Sequence, residues 1–419
     1  MKTIDYRKII TESCRVILGI TFLFSGIVKC IDPVGGAIKI EDYFGAFGLS
    51  AFNPAAMFVS SNLSAFEFML GLCILTAVHR KLTTMCMLAF MTFMTLLTLY
   101  LAVFNPVHDC GCFGEAIIIT NWQTFFKNAL VLLPASIVTY LYHKRMTPLY
   151  TYKVYWFIVV FAYAFPMWFS LYNYTHLPIE DFRPYKVGAN IPALMSFPAD
   201  APQDEYRYVY EKNGKKKAFA PENAPAEDST WTFVEAQLVK EGYIPPVTSF
   251  ELYNDAGDNV AEEILSAENG VFLLVAPKIE KASDKKIDEI NYIYDYAREH
   301  HLDFYGVTNS TREEINAWIN NTGAEYPFLT ADDVTLKTII RSNPGLVLLK
   351  TGTILNKWHY NDIPSEDRAG AVVDGLLHAP DKQAEKENSP WIWIISCFTL
   401  PLLLVWIYDY LRNRRKKTN

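Results

Sequence analysis

Residues 82–104 read LTTMCMLAFMTFMTLLTLYLAVF, and residues 108–114 follow them as HDCGCFG. The first run carries no charge. A helix rises about 1.5 Å per residue, so a run of this length crosses a hydrocarbon core about 30 Å thick. The second run places Cys110 and Cys112 one residue apart at the end of that span, with Asp109 before them and Gly111 and Gly114 among them. The chain has seven cysteines in 419 residues. Two of them so close together at a membrane surface suggest thiol–disulfide chemistry, provided that surface faces an oxidising compartment.

Working outward, five more apolar runs qualify as membrane helices. With the first, the expected spans are roughly 14–31, 61–78, 82–104, 124–142, 154–172 and 391–408. The run ending at Ile31 is followed by Asp32 and Pro33 rather than a small-residue cleavage site. It therefore reads as an uncleaved helix and not as a signal peptide. Basic residues in short loops set orientation. Lys2, Arg7, Lys8, Arg15, Arg80, Lys81, Lys144, Arg145, Lys153, Arg412, Arg414, Arg415, Lys416 and Lys417 gather at one set of ends, against Lys29, Lys39 and Lys127 at the other. Both termini are expected in the cytoplasm, and the cysteine loop and the polar segment from about 175 to 390 outside. In a bacterium with two membranes this means a multi-pass inner-membrane protein with a large periplasmic domain, a setting that permits disulfides.

The polar segment holds 36 Asp and Glu against 21 Lys and Arg. That balance argues against a nucleic-acid partner. Residues 175–246 read as a linker and a β-hairpin subdomain, with aromatic alternation around Asn213-Gly214 and a further strand from Trp231 to Leu238. From Pro245-Pro246 onward β and α alternate. Strands are expected at 250–253, 271–276 and 304–308, with a hairpin over 346–358. Helices are expected at 284–300, 311–320 and 365–377. Thr311 and Glu314 have the spacing of a capping box. Lys215-Lys216-Lys217 reads as a solvated hairpin face, and His300-His301 as a helix end.

This order resembles the thioredoxin-like fold over residues 247–380. The resemblance implies a cis-proline just before the hairpin, which falls on Pro344 of Asn343-Pro344-Gly345. It also implies a redox motif after the first central strand, and here the sequence departs from it. Ala276-Pro277-Lys278-Ile279-Glu280 has no cysteine, and neither does any other position from 175 to 390. A thiolate is the obligatory nucleophile of disulfide exchange, so this domain is expected to bind or present rather than to exchange.

Three pieces of the first 145 residues resemble the DoxX/MauE group of four-helix membrane proteins. They are Ser25-Gly26-Ile27-Val28-Lys29-Cys30-Ile31-Asp32-Pro33, Glu67 in Phe66-Glu67-Phe68-Met69-Leu70-Gly71, and Asp109-Cys110-Gly111-Cys112-Phe113-Gly114. The MauE branch implies disulfide formation in a periplasmic protein partner. The DoxX branch implies a quinone-linked redox role, although no residue pattern here demands a quinone or any other cofactor. The expected fold class is therefore a membrane α-helical bundle, a four-helix core at 1–145 plus further spans at 153–173 and 391–419, joined to an α/β thioredoxin-like domain.

The residues themselves support one shared site. Lys29 ends the first span, Glu67 lies about two turns into the second, and Cys110 and Cys112 lie at the same surface. Intramembrane charges usually pair with one another, so a Lys29–Glu67 pair is expected to tune the thiols. Its bland alternative is an ion pair that only locks two helices. A Cys-x-Cys disulfide closes a small ring, and strain would make it oxidising. Cys30 is expected at the same face as a possible third, resolving thiol. Cys14, Cys73, Cys86 and Cys397 read as packing residues. The bland reading of the pair is a static brace or a tight turn. His108, Asp109 and the two cysteines offer ligand types for zinc or copper, but their adjacency is unlike a metal site, and no metal is expected. The competing functions are a non-enzymatic scaffold whose thioredoxin-like domain recognises a partner, and a small-molecule carrier. The absence of an inverted repeat weakens the carrier.

Overall fold

The computed structural model describes residues 5–198, 200–226, 228–378 and 390–418. The expected boundary of the thioredoxin-like region at 379–380, and the connection from it to residue 389, lie outside these.

Among the described residues, six helices are long and apolar enough to cross a membrane: Tyr6–Ile31, Ser50–Thr76, Arg80–Phe104, Asn121–Leu141, Tyr152–Thr175 and Trp391–Arg414. The first starts eight residues earlier than its apolar run. Asp5 accepts a hydrogen bond from the Lys8 N–H, and this cap carries the helix through a charged first turn that hydropathy alone discounts. The second span is likewise entered early, through a short helical turn at Ser50–Ala55.

Four elements matter for the site, and we call them α1 (Tyr6–Ile31), α2 (Pro33–Ala46), α3 (Ala56–Thr76) and α4 (Arg80–Phe104). Helix α2 is absent from the sequence reading. Its glycines at 35, 36 and 45 weaken a helical pattern, yet its start is well signalled. Asp32 accepts from the Gly35 N–H, and Pro33 occupies the first turn, where no amide donor is needed. Helices α1 and α3 approach closely through two glycines. A Cβ on Gly26 would lie 2.7 Å from the Phe68 backbone nitrogen, and one on Gly71 would lie 2.6 Å from that of Leu23. Small residues let membrane helices meet backbone to backbone, and here they bring Lys29 of α1 to Glu67 of α3.

Residues 205–240 form a three-stranded antiparallel sheet in the order β2-β1-β3, from β1 (Glu205–Lys212), β2 (Lys215–Phe219) and β3 (Thr232–Lys240). The following α/β domain has a five-stranded sheet in the order β6-β5-β4-β7-β8. Its strands are β4 (Val271–Ala276), β5 (Asp303–Thr308), β6 (Phe328–Thr330), β7 (Gly345–Lys350) and β8 (Thr353–His359). β4 pairs parallel with β5 and antiparallel with β7, and β7 pairs antiparallel with β8. A parallel βαβ unit joined to an antiparallel hairpin and closing helix is the thioredoxin-like arrangement. All six residues of β4 are buried, because helices cover both faces of the sheet. Thr311 and Glu314 form the expected capping box.

The expected strand at 250–253 is not formed. Tyr253 makes only isolated bridges to Asn259 and Thr330, while Phe250 and Leu252 turn into the core. Short elements with weak signals are new, among them β6 and a two-turn helix at Asp333–Ile339, capped by Asp332.

Candidate thiol site

The cysteine loop leaves α4 at Asn105 and returns at Asn121. The Asn121 amide donates to Asn105 Oδ1 and to the Val107 carbonyl, both at 2.9 Å, which closes the base of the loop. The tip is held by α2. Lys39 Nζ lies 3.0 Å from Asp109 Oδ2, and the Tyr43 hydroxyl donates to the Cys110 carbonyl at 2.9 Å. Asp109 Oδ1 in turn accepts from the Gly111 N–H at 2.8 Å. Gly111 has φ +64°, and a Cβ there would meet Lys39 Cγ at 2.9 Å. Only glycine takes that backbone freely and admits the lysine stem.

The turn brings the Cys110 and Cys112 sulfurs to 2.8 Å. Cys110 is buried and Cys112 half-buried. Their environments drive the two thiols apart. The Cys110 thiol shares its proton with the Cys112 sulfur, and the charges of Lys127 and Lys29 add to this. Together they hold Cys112 at about 7, against the opposing effects of burial and Glu67. The same hydrogen bond, together with burial, pushes Cys110 up. Cys112 is thus the thiolate of the pair near neutral pH.

Beneath the turn lies an ion pair. Lys29 Nζ sits 2.8 and 2.7 Å from the two oxygens of Glu67, which is 3% exposed. The Ser25 hydroxyl lies 2.7 Å from Glu67 Oε2 and 2.7 Å from the Cys112 carbonyl. With one proton to donate, it lies between two acceptors, the carboxylate and the cysteine turn, and serves one of them at a time. A cavity of about 380 Å³ opens beside these groups. Lys29, Glu67, Cys110 and Cys112 line it together with the apolar Phe93, Met94 and Leu97.

Two sequence expectations need revision. Cys30 adjoins Lys29 in sequence but is fully buried among Phe68, Phe165 and Phe169. One residue is about 100° around a helix, and that step turns Cys30 away from the cavity that the cysteine pair lines. A resolving role for Cys30 has no geometric basis. His108 is exposed, and its side chain takes no part in the site. Among the described residues, no three ligating side chains converge as for a metal ion. Gly114 closes the turn with φ +53°, its N–H donating to the Gly111 carbonyl at 3.1 Å.

Sequence reasoning noted Lys127 near the start of the fourth span but gave it no role in the site. Its ammonium lies 4.2 Å from the Phe113 ring centroid, next to Cys112. A lone lysine at the edge of an apolar span was the available signal. Lys39 and Tyr43 were hidden because α2 was not recognised.

In the α/β domain the Asn343–Pro344 bond is cis. The Asn343 side-chain amide donates to the Lys278 carbonyl at 2.8 Å. The proline loop therefore meets the segment after β4, where the fold's redox motif would lie and where this chain has no cysteine.

Residues 204–241, the three-stranded sheet, match a domain family of unknown function. No curated protein matches the chain. Among solved structures, the chain is similar to a candidate protein disulfide isomerase from Bacteroides thetaiotaomicron, determined in solution. The two are 18% identical, with 32% of this chain and 89% of that chain covered and a TM-score of 0.26. Residues 7–141 match the family described as methylamine utilisation protein MauE. The region that carries Cys110, Cys112, Lys29, Glu67 and Lys127 is thus a MauE family domain.

Proposed function

We propose that this chain is a membrane thiol–disulfide redox component that oxidises a protein partner through Cys110 and Cys112. The observation that carries the reading is the 2.8 Å approach of the two sulfurs in the lining of a cavity shared with Lys29 and Glu67. A static brace would not need an ion pair below it, nor one thiol held near neutrality beside a second that is pushed up.

In the oxidised site the two sulfurs are bonded. A partner thiolate attacks Cys112, the less buried residue of the two, and Cys110 leaves. A second partner thiolate then attacks the mixed disulfide and releases Cys112. The partner gains one disulfide and loses two protons and two electrons, and the site holds two thiols. Cys112, held at about 7, leaves readily in that second step. Glu67, through Ser25, lies where a proton can be held close to the turn. Closing the cycle removes two electrons and two protons. A lipid-soluble quinone is the class of acceptor that takes both, and the apolar cavity that the cysteines line suits its ring.

The α/β domain is the partner-recognition element in this reading, since it lacks the nucleophile. It packs against the same end of the bundle as the cysteine loop, where Arg341 meets Asp32. The alternation of basic loops supports the same arrangement, both on the periplasmic side of an inner membrane with the termini in the cytoplasm.

The test is oxidation of a secreted reporter with one disulfide in cells lacking other oxidants. Wild-type chain should restore the disulfide, and Cys110→Ser or Cys112→Ser should abolish it at equal protein level. Undiminished oxidation with both serine variants sinks the reading.

A further inference from the structure

The contact between the α/β domain and the membrane bundle includes one buried ion pair, beside an Asn361 amide that donates to the Thr175 carbonyl at 2.7 Å. Arg341 precedes the cis-proline loop, and Asp32 caps α2. Arg341 Nε lies 3.1 Å from each Asp32 oxygen, and Nη2 lies 3.0 Å from Oδ2. The residues are 8% and 7% exposed. Arg341 is itself anchored behind, its Nη1 donating to the Lys337 carbonyl at 2.8 Å. Arg183 donates to the Lys337 and Thr338 carbonyls, and Lys357 to that of Ile339. Three cations thus sit on the carbonyl end of the helix Asp333–Ile339, where its dipole favours positive charge. Asp181 lies between Arg183 and Lys357. The arginine is fixed within its own domain before it reaches Asp32.

From Asp32 the connection runs to the thiols through one helix. Asp32 starts α2 by accepting from Gly35. Two turns later Lys39 holds Asp109, and a turn beyond that Tyr43 holds the Cys110 carbonyl. The same residues wall off two cavities. Arg341 lines one of about 380 Å³ with Lys278, Asn343 and His359, and Asp32 lines the cysteine cavity.

We infer that Arg341, acting through Asp32 and α2, positions the cysteine turn, so that the seating of the α/β domain sets the reactivity of Cys110 and Cys112. The inference rests on the thiol site proposed above and adds its regulation. Arg341 is a positioning residue, remote from the sulfurs. An occupant of the cavity beside Arg341 would act on the thiols through this strut, by displacing the arginine from Asp32. Such coupling needs a physical element that both sites bias, and α2 is that element.

The experiment uses full-length protein in detergent, reduced, with Cys14, Cys30, Cys73, Cys86 and Cys397 left in place and each peptide followed by mass spectrometry. It measures the alkylation rate of Cys112 and Cys110, then the dithiol–disulfide equilibrium against glutathione. Asp32→Asn keeps the cap on Gly35 but removes the charge that Arg341 meets, and Arg341→Ala removes the arginine. Each should change the Cys112 alkylation rate at least about fivefold. The double variant should show no more than the larger single effect, since both act through one link. Arg341→Lys should restore the rate in part. If Arg341→Ala proves unstable, Asp32→Asn carries the same test. Rates within twofold of wild type in Asp32→Asn, with Tyr43→Phe shifting them, overturn the inference and leave the thiol site standing. Failure of the wild-type pair to form a disulfide with glutathione sinks the proposed function instead, and the alkylation rates still decide the coupling.

Discussion

Replacing Lys127 with methionine removes a charge next to Cys112 and leaves the surrounding packing close to intact. The ammonium lies 4.2 Å from the Phe113 ring centroid, on the residue that follows Cys112. Its charge is the largest electrostatic influence holding the Cys112 thiol at about 7, after the hydrogen bond from Cys110. An opposite charge within about 4–6 Å moves a titrating group by about 1–3 units. Even the low end raises Cys112 to about 8. At pH 7 the thiolate then falls from about one half to about one tenth, a loss of about fivefold in nucleophile that corresponds to about 1.4 kcal/mol per unit. Stability should change little, because the cation–π interaction with Phe113 is worth only about 0.5–1 kcal/mol. The assay is alkylation of Cys112 by a neutral maleimide from pH 5.5 to 9.5, read by peptide mass. Wild type should reach half its limiting rate near pH 7, and Lys127→Met near pH 8 or above. Lys127→Arg should stay near 7. An unchanged midpoint in Lys127→Met refutes the electrostatic account of the site.

Three further outcomes follow from named contacts. Lys29→Met leaves the Glu67 carboxylate, 3% exposed, without its cation. Breaking one side of a buried pair costs about 3–5 kcal/mol, so thermal melting in detergent should show a large loss that the Lys29→Met/Glu67→Leu double variant recovers in part. Gly71→Val places a Cβ 2.6 Å from the Leu23 backbone nitrogen, forces α1 and α3 apart, and should separate Lys29 from Glu67. It should lower both melting temperature and reporter oxidation, whereas a valine at the exposed Gly45, which has open space around it, should not. His359 is 2% exposed, and burial, with His176 nearby, lowers it from 6.5 to about 4. The folded state keeps the ring neutral while the unfolded chain takes up a proton below 6.5. Stability of the α/β domain should therefore fall as pH drops from 6.5 toward 4, on the order of 3 kcal/mol in all. His359→Gln should flatten that slope.

The spans were legible because each carries an apolar run of membrane length, and the order of strands was legible from buried runs such as Val271–Ala276. What escaped the sequence was local and short. Helix α2 has glycines where a helix pattern expects good formers, and its stability comes from the Asp32 cap and from contacts to Arg341, Asp109 and Cys110, all distant in sequence. The strand expected at 250–253 alternates well, yet it meets the edge strand β6 only at Tyr253, which bridges to Thr330. The Lys29–Glu67 arrangement followed from counting helical turns, but the placement of Cys30 did not. Its neighbours in space are aromatic residues of two other helices, which no spacing rule within α1 reveals.

The most direct measurement is the redox state of Cys110 and Cys112 in isolated membranes, trapped by alkylation after equilibration across a series of glutathione buffers. A reversible two-electron transition confined to these two cysteines, with Cys30 unchanged throughout, is the expected result. Thiols that stay free at the oxidising end of the series, or a disulfide that resists reduction at the other, would contradict the assignment of the pair as an exchanging site.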